Sequence, residues 1–248
     1  MIDELQLAGW LPLALALVTI FVASVVQTSS GMGFGMVAAP ILILIDPALV
    51  PGPILFLSML VSSLAALREW RSIDFRGLSI ALGGRIPATI LAGLTISLVP
   101  VAAFGLIFGV LVLLAVLLSI AARPRDPTTR LLLSAGAVSG YMGTLTSIGA
   151  PPMALVYQHG PAATIRSTMS LYFVVGAAFS IITLAVFGRF GGAEIVASAI
   201  FLPAAIAGYL LSKYVVTRLD KRRMRQIVLG LSAAASLILI FKSLKTML

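Results

Sequence analysis

The chain has 248 residues, 60% of them hydrophobic and only 10% charged, a balance that excludes a soluble enzyme or a soluble binding domain of this length. A net charge of +9 would suit nucleic acid only if the cations shared a face with base-stacking or groove-reading elements; they lie instead in short loops between apolar runs, so the expected partner is the lipid bilayer. With no cysteine and a single histidine, His159, neither a disulfide, a thiolate nor a histidine metal cluster is expected, and no cofactor is called for.

The opening stretch MIDELQLAGW carries Asp3 and Glu4 without a basic n-region, so the first apolar run is expected to stay as a span. Apolar segments follow at about 9–29, 33–45, 53–67, 77–97 and 101–122, then at about 131–145, 149–157, 168–187, 193–212 and 226–241. Helices of the longer kind match a hydrocarbon core about 30 Å thick, and β-barrel alternation is absent. The fold class is therefore all-α, an integral membrane protein. RPRDPTTR at 123–130 cannot continue a membrane helix and divides the chain into a first membrane repeat, 1–122, a linker, 123–130, and a second repeat, 131–248.

The halves match in order. TSSG at 28–31 recurs as TSIG at 146–149, Pro40 and Ser58 recur as Pro152 and Ser170, PATILAG from Pro87 answers PAAIAG from Pro203, and the surroundings of Gly109 answer those of Gly230. Loops rich in Lys and Arg stay cytoplasmic. Arg68, Arg71 and Arg76 place the loop after the third segment inside, and Arg123, Arg125 and Arg130 place the linker inside. The loop 213–225 holds Lys213, Arg218, Lys221, Arg222, Arg223 and Arg225, whereas its counterpart at 98–100 is uncharged. Parallel repeats would put those cations outside; inverted repeats put them inside, with both termini and the loop around Arg189 outside. Inverted repeats with broken helices are an architecture of secondary transporters, whose site lies where the repeats meet.

Each repeat opens on such a break. QTSSGMGFG and GTLTSIGAPP interrupt apolar runs where irregular backbone is tolerated only if buried in protein or lining a cavity. Two helical hairpins entering from opposite faces would bring these tips together, each beginning a helix whose first N–H groups attract anions. Gln27, Thr28, Ser29 and Ser30 on one tip, with Thr144, Thr146 and Ser147 on the other, offer donors; Gly31, Gly33 and Gly149 let a ligand approach the backbone. The same residues would also serve as a small-residue packing seam whose hydroxyls bond back to their own helices. Phe34 joins the candidate site, although it, Tyr157 and Tyr172 suit packing or interfacial positions better than ligand stacking.

Arg85, in LGGRIPA, is the ninth residue of the segment 77–97, which places it about 13 Å from the segment's start, near mid-membrane. A central arginine costs at least about 2.5 kcal/mol to insert, so it should face a cavity or a partner; facing a cavity, it offers a planar donor fork to an oxyanion. Snorkelling or internal pairing is the alternative. Its repeat counterpart is Phe201. Arg166 and His159 flank the second hairpin on the cytoplasmic side, where they would guide an anion or mark topology. All 8 acidic residues fall at termini, loops or segment ends, so no carboxylate is placed to relay a proton at mid-depth.

SSGMGFGMVAAPIL followed by DPALVPGPIL, REWRSIDFRG leading to GGRIPA, and GAPPMALVYQHG followed by IRSTMSLYF together resemble the sulfite exporter TauE/SafE family of membrane permeases. The resemblance covers nearly the whole chain. It implies transport of sulfite, sulfonates or related sulfur-containing anions across a bacterial inner membrane, and points to Gly31, Gly33, Gly35, Pro40, Arg85, Pro151, Pro152 and Arg166. The second tip departs from the glycine-rich pattern.

Export of a small anionic substrate is the favoured expectation. Uptake of a sulfonate or carboxylate and passive anion conduction remain open alternatives. An intramembrane hydrolase using Ser147 and His159 is disfavoured, because no G-x-S-x-G elbow and no buried acid accompany them, so the chain is not expected to be an enzyme. Oligomeric state is not specified by the sequence.

Overall fold

The structure, a computed structural model, describes residues 9–121, 127–157, 160–215 and 221–247. His159, the acidic residues Asp3, Glu4, Asp126 and Asp220, and most of the linker cations lie outside the described residues, as do the side chains of the cluster at 221–225. The described residues form ten α-helices and no strand: α1 Trp10–Ser30, α2 Phe34–Ile45, α3 Gly52–Arg68, α4 Phe75–Leu98, α5 Val101–Ala121, α6 Thr129–Thr146, α7 Ala150–Val156, α8 Ala162–Val186, α9 Gly192–Val215 and α10 Lys221–Met247.

These helices follow the predicted segments closely. The largest differences are α10, which runs Lys221–Met247 rather than about 226–241, and α8, which starts at Ala162 rather than at about 168; the first turns of α8 carry Thr164, Arg166 and Ser167, which hydropathy counts as loop, while Pro161 at the N-cap sets the true start. Seven helices, α1, α3, α4, α5, α8, α9 and α10, are long and apolar enough to cross a membrane. The glycine- and hydroxyl-rich α6 is not among them, and α2 and α7, with 12 and 7 residues, reach only about 18 and 10 Å.

Helix packing runs mainly between the two halves of the chain. α4 lies along α6, α9 along α1, α3 along α8 and α5 along α10; α8 also meets α4, α9 meets α3, α10 meets α2 and α5 meets α7. Exchanging the halves turns this pattern into itself: α4 on α6 becomes α9 on α1, and α3 on α8 returns unchanged. The tightest seam is α4 on α6, where glycines let backbones touch. A Cβ on Gly84 would lie 2.0 Å from the carbonyl oxygen of Leu133, and one on Gly136 would lie 2.0 Å from that of Ala81. Gly136 and Gly140 form the small-xxx-small ridge that such an approach requires. In the exchanged seam, Ser24 donates to the carbonyl of Ala205 at 2.6 Å.

Prolines inside helices free carbonyls that hydrocarbon will not solvate. Pro40 in α2 leaves the carbonyl of Met36 without its intrahelical partner; Ser232 Oγ of α10 lies 3.4 Å from it while bonding to the carbonyl of Val228 at 2.8 Å. The largest apolar cluster gathers α1, α2 and α3 with Phe108, Ala197 and Phe201, while side chains such as Leu98, Val186 and Phe241 are exposed where lipid would cover them.

Candidate anion site

Arg85 is the eleventh residue of the 24-residue α4, about 15 Å from its start and near the middle of a helix about 36 Å long. It does not snorkel: it is 1% exposed and is the largest fully buried side chain described. Close α4–α6 packing brings this about, since the backbone of Arg85 rests against Gly140, where a Cβ would lie 2.5 Å from its carbonyl oxygen. Its guanidinium packs on the rings of Tyr172 and Phe173, 4.7 and 5.7 Å from their centroids, which gives a cation–π contact on a desolvated charge. Gly176 and Gly143 leave room beside it; a Cβ on Gly176 would lie 1.9 Å from Nε.

The polar partners of this cation are few. Nη1 donates to Ser139 Oγ at 3.3 Å, Nε has no partner, and Glu69 pairs with Arg166. A guanidinium buried without a carboxylate is costly, and what would relieve the cost is an anion.

Ser139 couples Arg85 to the second helix break, for it donates to the carbonyl of Gly149 at 2.5 Å. That break is a left-handed turn at Ser147, φ 62°, and Ser147 Oγ donates to the carbonyl of Pro51 at 3.1 Å. The first break uses Gly31 at φ 76° and Gly33 at φ 110°, a backbone path that L side chains resist. The two breaks touch. A Cβ on Gly35 would lie 1.7 Å from the carbonyl oxygen of Ser147, and one on Gly31 would lie 2.5 Å from that of Arg166.

The pattern describing the sulfite exporter TauE/SafE family matches residues 16–239. The chain belongs to this family. No match was found among the curated proteins or among the solved structures. TauE/SafE membership marks it as a multi-pass membrane transporter and implies sulfite or a related sulfur-containing anion as cargo.

In this TauE/SafE protein the tip hydroxyls expected to face a ligand donate to main-chain carbonyls. Thr28 donates to Ser24 at 2.8 Å and Ser29 to Val25, while Ser30 lies 2.6 Å from the carbonyl of Met32. Thr144 donates to Gly140 at 2.8 Å, and Thr146 to Met142 at 2.7 Å while accepting from Ile148 N at 3.1 Å. In apolar surroundings a hydroxyl proton takes the nearest acceptor, which in a helix is the carbonyl one turn back. Gln27 likewise holds the break: Nε2 donates to the carbonyl of Gly31 at 3.0 Å and to Ser62 Oγ at 2.8 Å, and Oε1 accepts from Phe34 N at 3.1 Å. Phe34 is 1% exposed and packs in the apolar core.

The tips are unequal. α7 begins Ala150-Pro151-Pro152, so two of its first three residues lack an N–H and its start is a poor anion cradle; the start of α2 has no such loss. Arg166 sits beside the first tip and forms a bidentate pair with Glu69, Nε to Oε2 at 3.1 Å and Nη2 to Oε1 at 2.5 Å. Close to it, Tyr157 donates to Asp74 Oδ2 at 3.2 Å, and Asp74 N donates to Thr168 Oγ1 at 2.9 Å. Burial and the Asp74 carboxylate push the Tyr157 hydroxyl well above its ordinary pKa.

Arg85 was legible from the sequence; its surroundings were not. Ser139, Phe173, Gly140, Gly143 and Gly176 carry no sequence signal of their own, and Tyr172 reads as a packing or interfacial aromatic. The signal that could have found them is the repeated glycine on one face of 136–143, together with Gly176 one turn after Tyr172. Among the described residues no cluster of three or more metal-ligating side chains occurs.

Proposed function

We propose that the chain is a secondary transporter exporting small sulfur-containing oxyanions, such as sulfite or organosulfonates, across the bacterial inner membrane by alternating access around Arg85. The observation that carries this is the fully buried guanidinium with no carboxylate partner, one hydroxyl away from the meeting point of two broken helices. An oxyanion there takes the fork of Arg85, and Ser139 turns its proton from Gly149 to the substrate. Gly31 and Gly33 admit the ligand to the start of α2, whose N–H dipoles face the same charge. Arg166 meets the anion at the cytoplasmic entrance, where the substrate competes with Glu69.

The exchange-invariant packing supports two related repeats, 1–122 and 131–248; their inverted orientation rests on the distribution of positive loops. Positive loops favour a cytoplasmic linker and both termini outside. Asp46, Glu69, Asp74 and Glu194 lie in loops, caps or first turns, so among the described residues no carboxylate stands beside Arg85 to relay a proton. An anion leaving an inside-negative cell gains about 2.3 kcal/mol per charge per 100 mV, which suffices for export without a co-ion.

The test is efflux of labelled sulfite from proteoliposomes of oriented protein under an imposed potential. Efflux should rise as the interior is made more negative and disappear in Arg85→Gln, while the lipid-facing control Leu114→Ala keeps it. Undiminished efflux from a folded Arg85→Gln protein would remove the site.

A further inference from the structure

We infer that the Arg85 site admits one negative charge and no more, so that the transported species is a monoanion: an organosulfonate, or sulfite carrying its proton. This rests on the reading of Arg85 as the substrate site and goes further by fixing the charge of the cargo.

The inference comes from counting charge around the guanidinium. An arginine side chain is a single cation, so the empty site carries one positive charge. Two helices pack closely on α4, namely α6 and α8. From α6 the titratable residues are Arg130, exposed at the helix start, and Tyr141, whose hydroxyl bonds with Thr95 Oγ1 at 3.1 Å. From α8 they are Arg166, held by Glu69, and Tyr172, whose hydroxyl donates to the carbonyl of Gly136 at 3.4 Å. On α4 itself Arg76 is exposed in the first turn and Asp74 is the N-cap, and Arg189 approaches only the far end, donating to the carbonyl of Ile96. Among the described residues, then, no second cation shares the site with Arg85.

A monoanion bound there makes the buried site neutral. A dianion leaves one charge uncompensated among Tyr172, Phe173 and glycine backbone, where low polarity penalises it heavily. Sulfonates are monoanions throughout the neutral range, sulfate is a dianion, and sulfite passes from monoanion to dianion near neutrality. Hydrogen sulfite therefore enters with its proton and yields it to bulk water only after release.

The experiment is binding of methanesulfonate, sulfite and sulfate to the purified native protein in lipid nanodiscs, at mildly acidic and mildly alkaline pH. Methanesulfonate affinity should be unchanged between the two. Affinity for total sulfite should fall at least about tenfold on going alkaline, a change of about 1.4 kcal/mol, and sulfate should bind at least about tenfold more weakly than methanesulfonate at both pH values. Because methanesulfonate does not change charge, it reads out any titration of the protein itself.

If sulfate and alkaline sulfite bind as well as methanesulfonate, and Arg85→Gln abolishes all three, Arg85 remains the substrate site and the one-charge rule is wrong. If neither methanesulfonate nor sulfite binds the native protein, or a monodisperse Arg85→Gln binds them unchanged, the site reading falls and the charge rule with it.

Discussion

Gly176 cedes to Arg85 the volume that a side chain of its own would fill: a Cβ there would lie 1.9 Å from Nε and 2.2 Å from Cζ. Since the guanidinium is held by Tyr172, Phe173 and Ser139, it cannot step aside without losing those contacts. Gly176→Ala is expected to push Arg85 out of its seat, with an overpacking cost of about 1–3 kcal/mol. Sulfite efflux should be lost while the protein still inserts and purifies as a monodisperse species; normal efflux from that variant would show the space to be dispensable.

Arg85 should stabilise function at the expense of the empty fold. Replacing a buried, uncompensated ion by an apolar side chain of similar length removes a desolvation penalty, and such replacements can stabilise by about 1–4 kcal/mol. Arg85→Met is accordingly expected to raise the thermal midpoint of the ligand-free protein and to abolish anion-induced stabilisation. A lower midpoint would mean that the cation has a partner which lowers its cost.

Gln27 closes the first break through three hydrogen bonds. Gln27→Leu leaves Phe34 N and the carbonyl of Gly31 without that partner in a buried setting, at about 1–3 kcal/mol for each unsatisfied group. Gln27→Glu keeps the acceptor for Phe34 N but loses both donors, so it should be destabilised by loss of the Gly31 and Ser62 bonds and by burial of a charge. Unfolding in mild denaturing detergent should rank both variants well below the native protein; equal stability would show that the break is held by packing alone.

The Tyr157 hydroxyl supplies a pH test. Its folded-state pKa is raised above the ordinary 10.0 by burial first and by Asp74 second. For a raised pKa the stabilising contribution is complete below the unfolded value and is lost as pH rises through the folded one, so the loss begins above about pH 10. Tyr157→Phe should show a shallower decline of stability across that alkaline range than the native protein. Identical slopes would mean that Tyr157 does not bury a protonated hydroxyl against Asp74.

Where the sequence failed to locate contacts, the cause is helix rotation and partner choice. Arg166 and Glu69 are 97 positions apart, and nothing local announces that they meet; hydropathy had placed Arg166 in a loop, whereas it lies in the second turn of α8. The tip hydroxyls show a different limit. A Ser or Thr in a membrane helix can donate to its own carbonyl or to a ligand, and composition is the same for both. Pro151 and Pro152, by contrast, already forecast an unequal pair of tips, because the lack of an N–H is a covalent property.

By itself the sequence determined the helical membrane class, the helix positions within a few residues, the two interruptions and the presence of a cation at mid-helix. These follow from apolar run length, from glycine and proline backbone chemistry and from the cost of charge in hydrocarbon, all of which act locally along the chain. Only the tertiary structure decided that the interruptions touch at Gly35 and Ser147, that Arg85 lies sealed between Tyr172 and glycine backbone, and that Glu69 went to Arg166 and left Arg85 without a counterion. Those outcomes depend on which faces of distant helices meet, and this is set by the packing of the whole bundle.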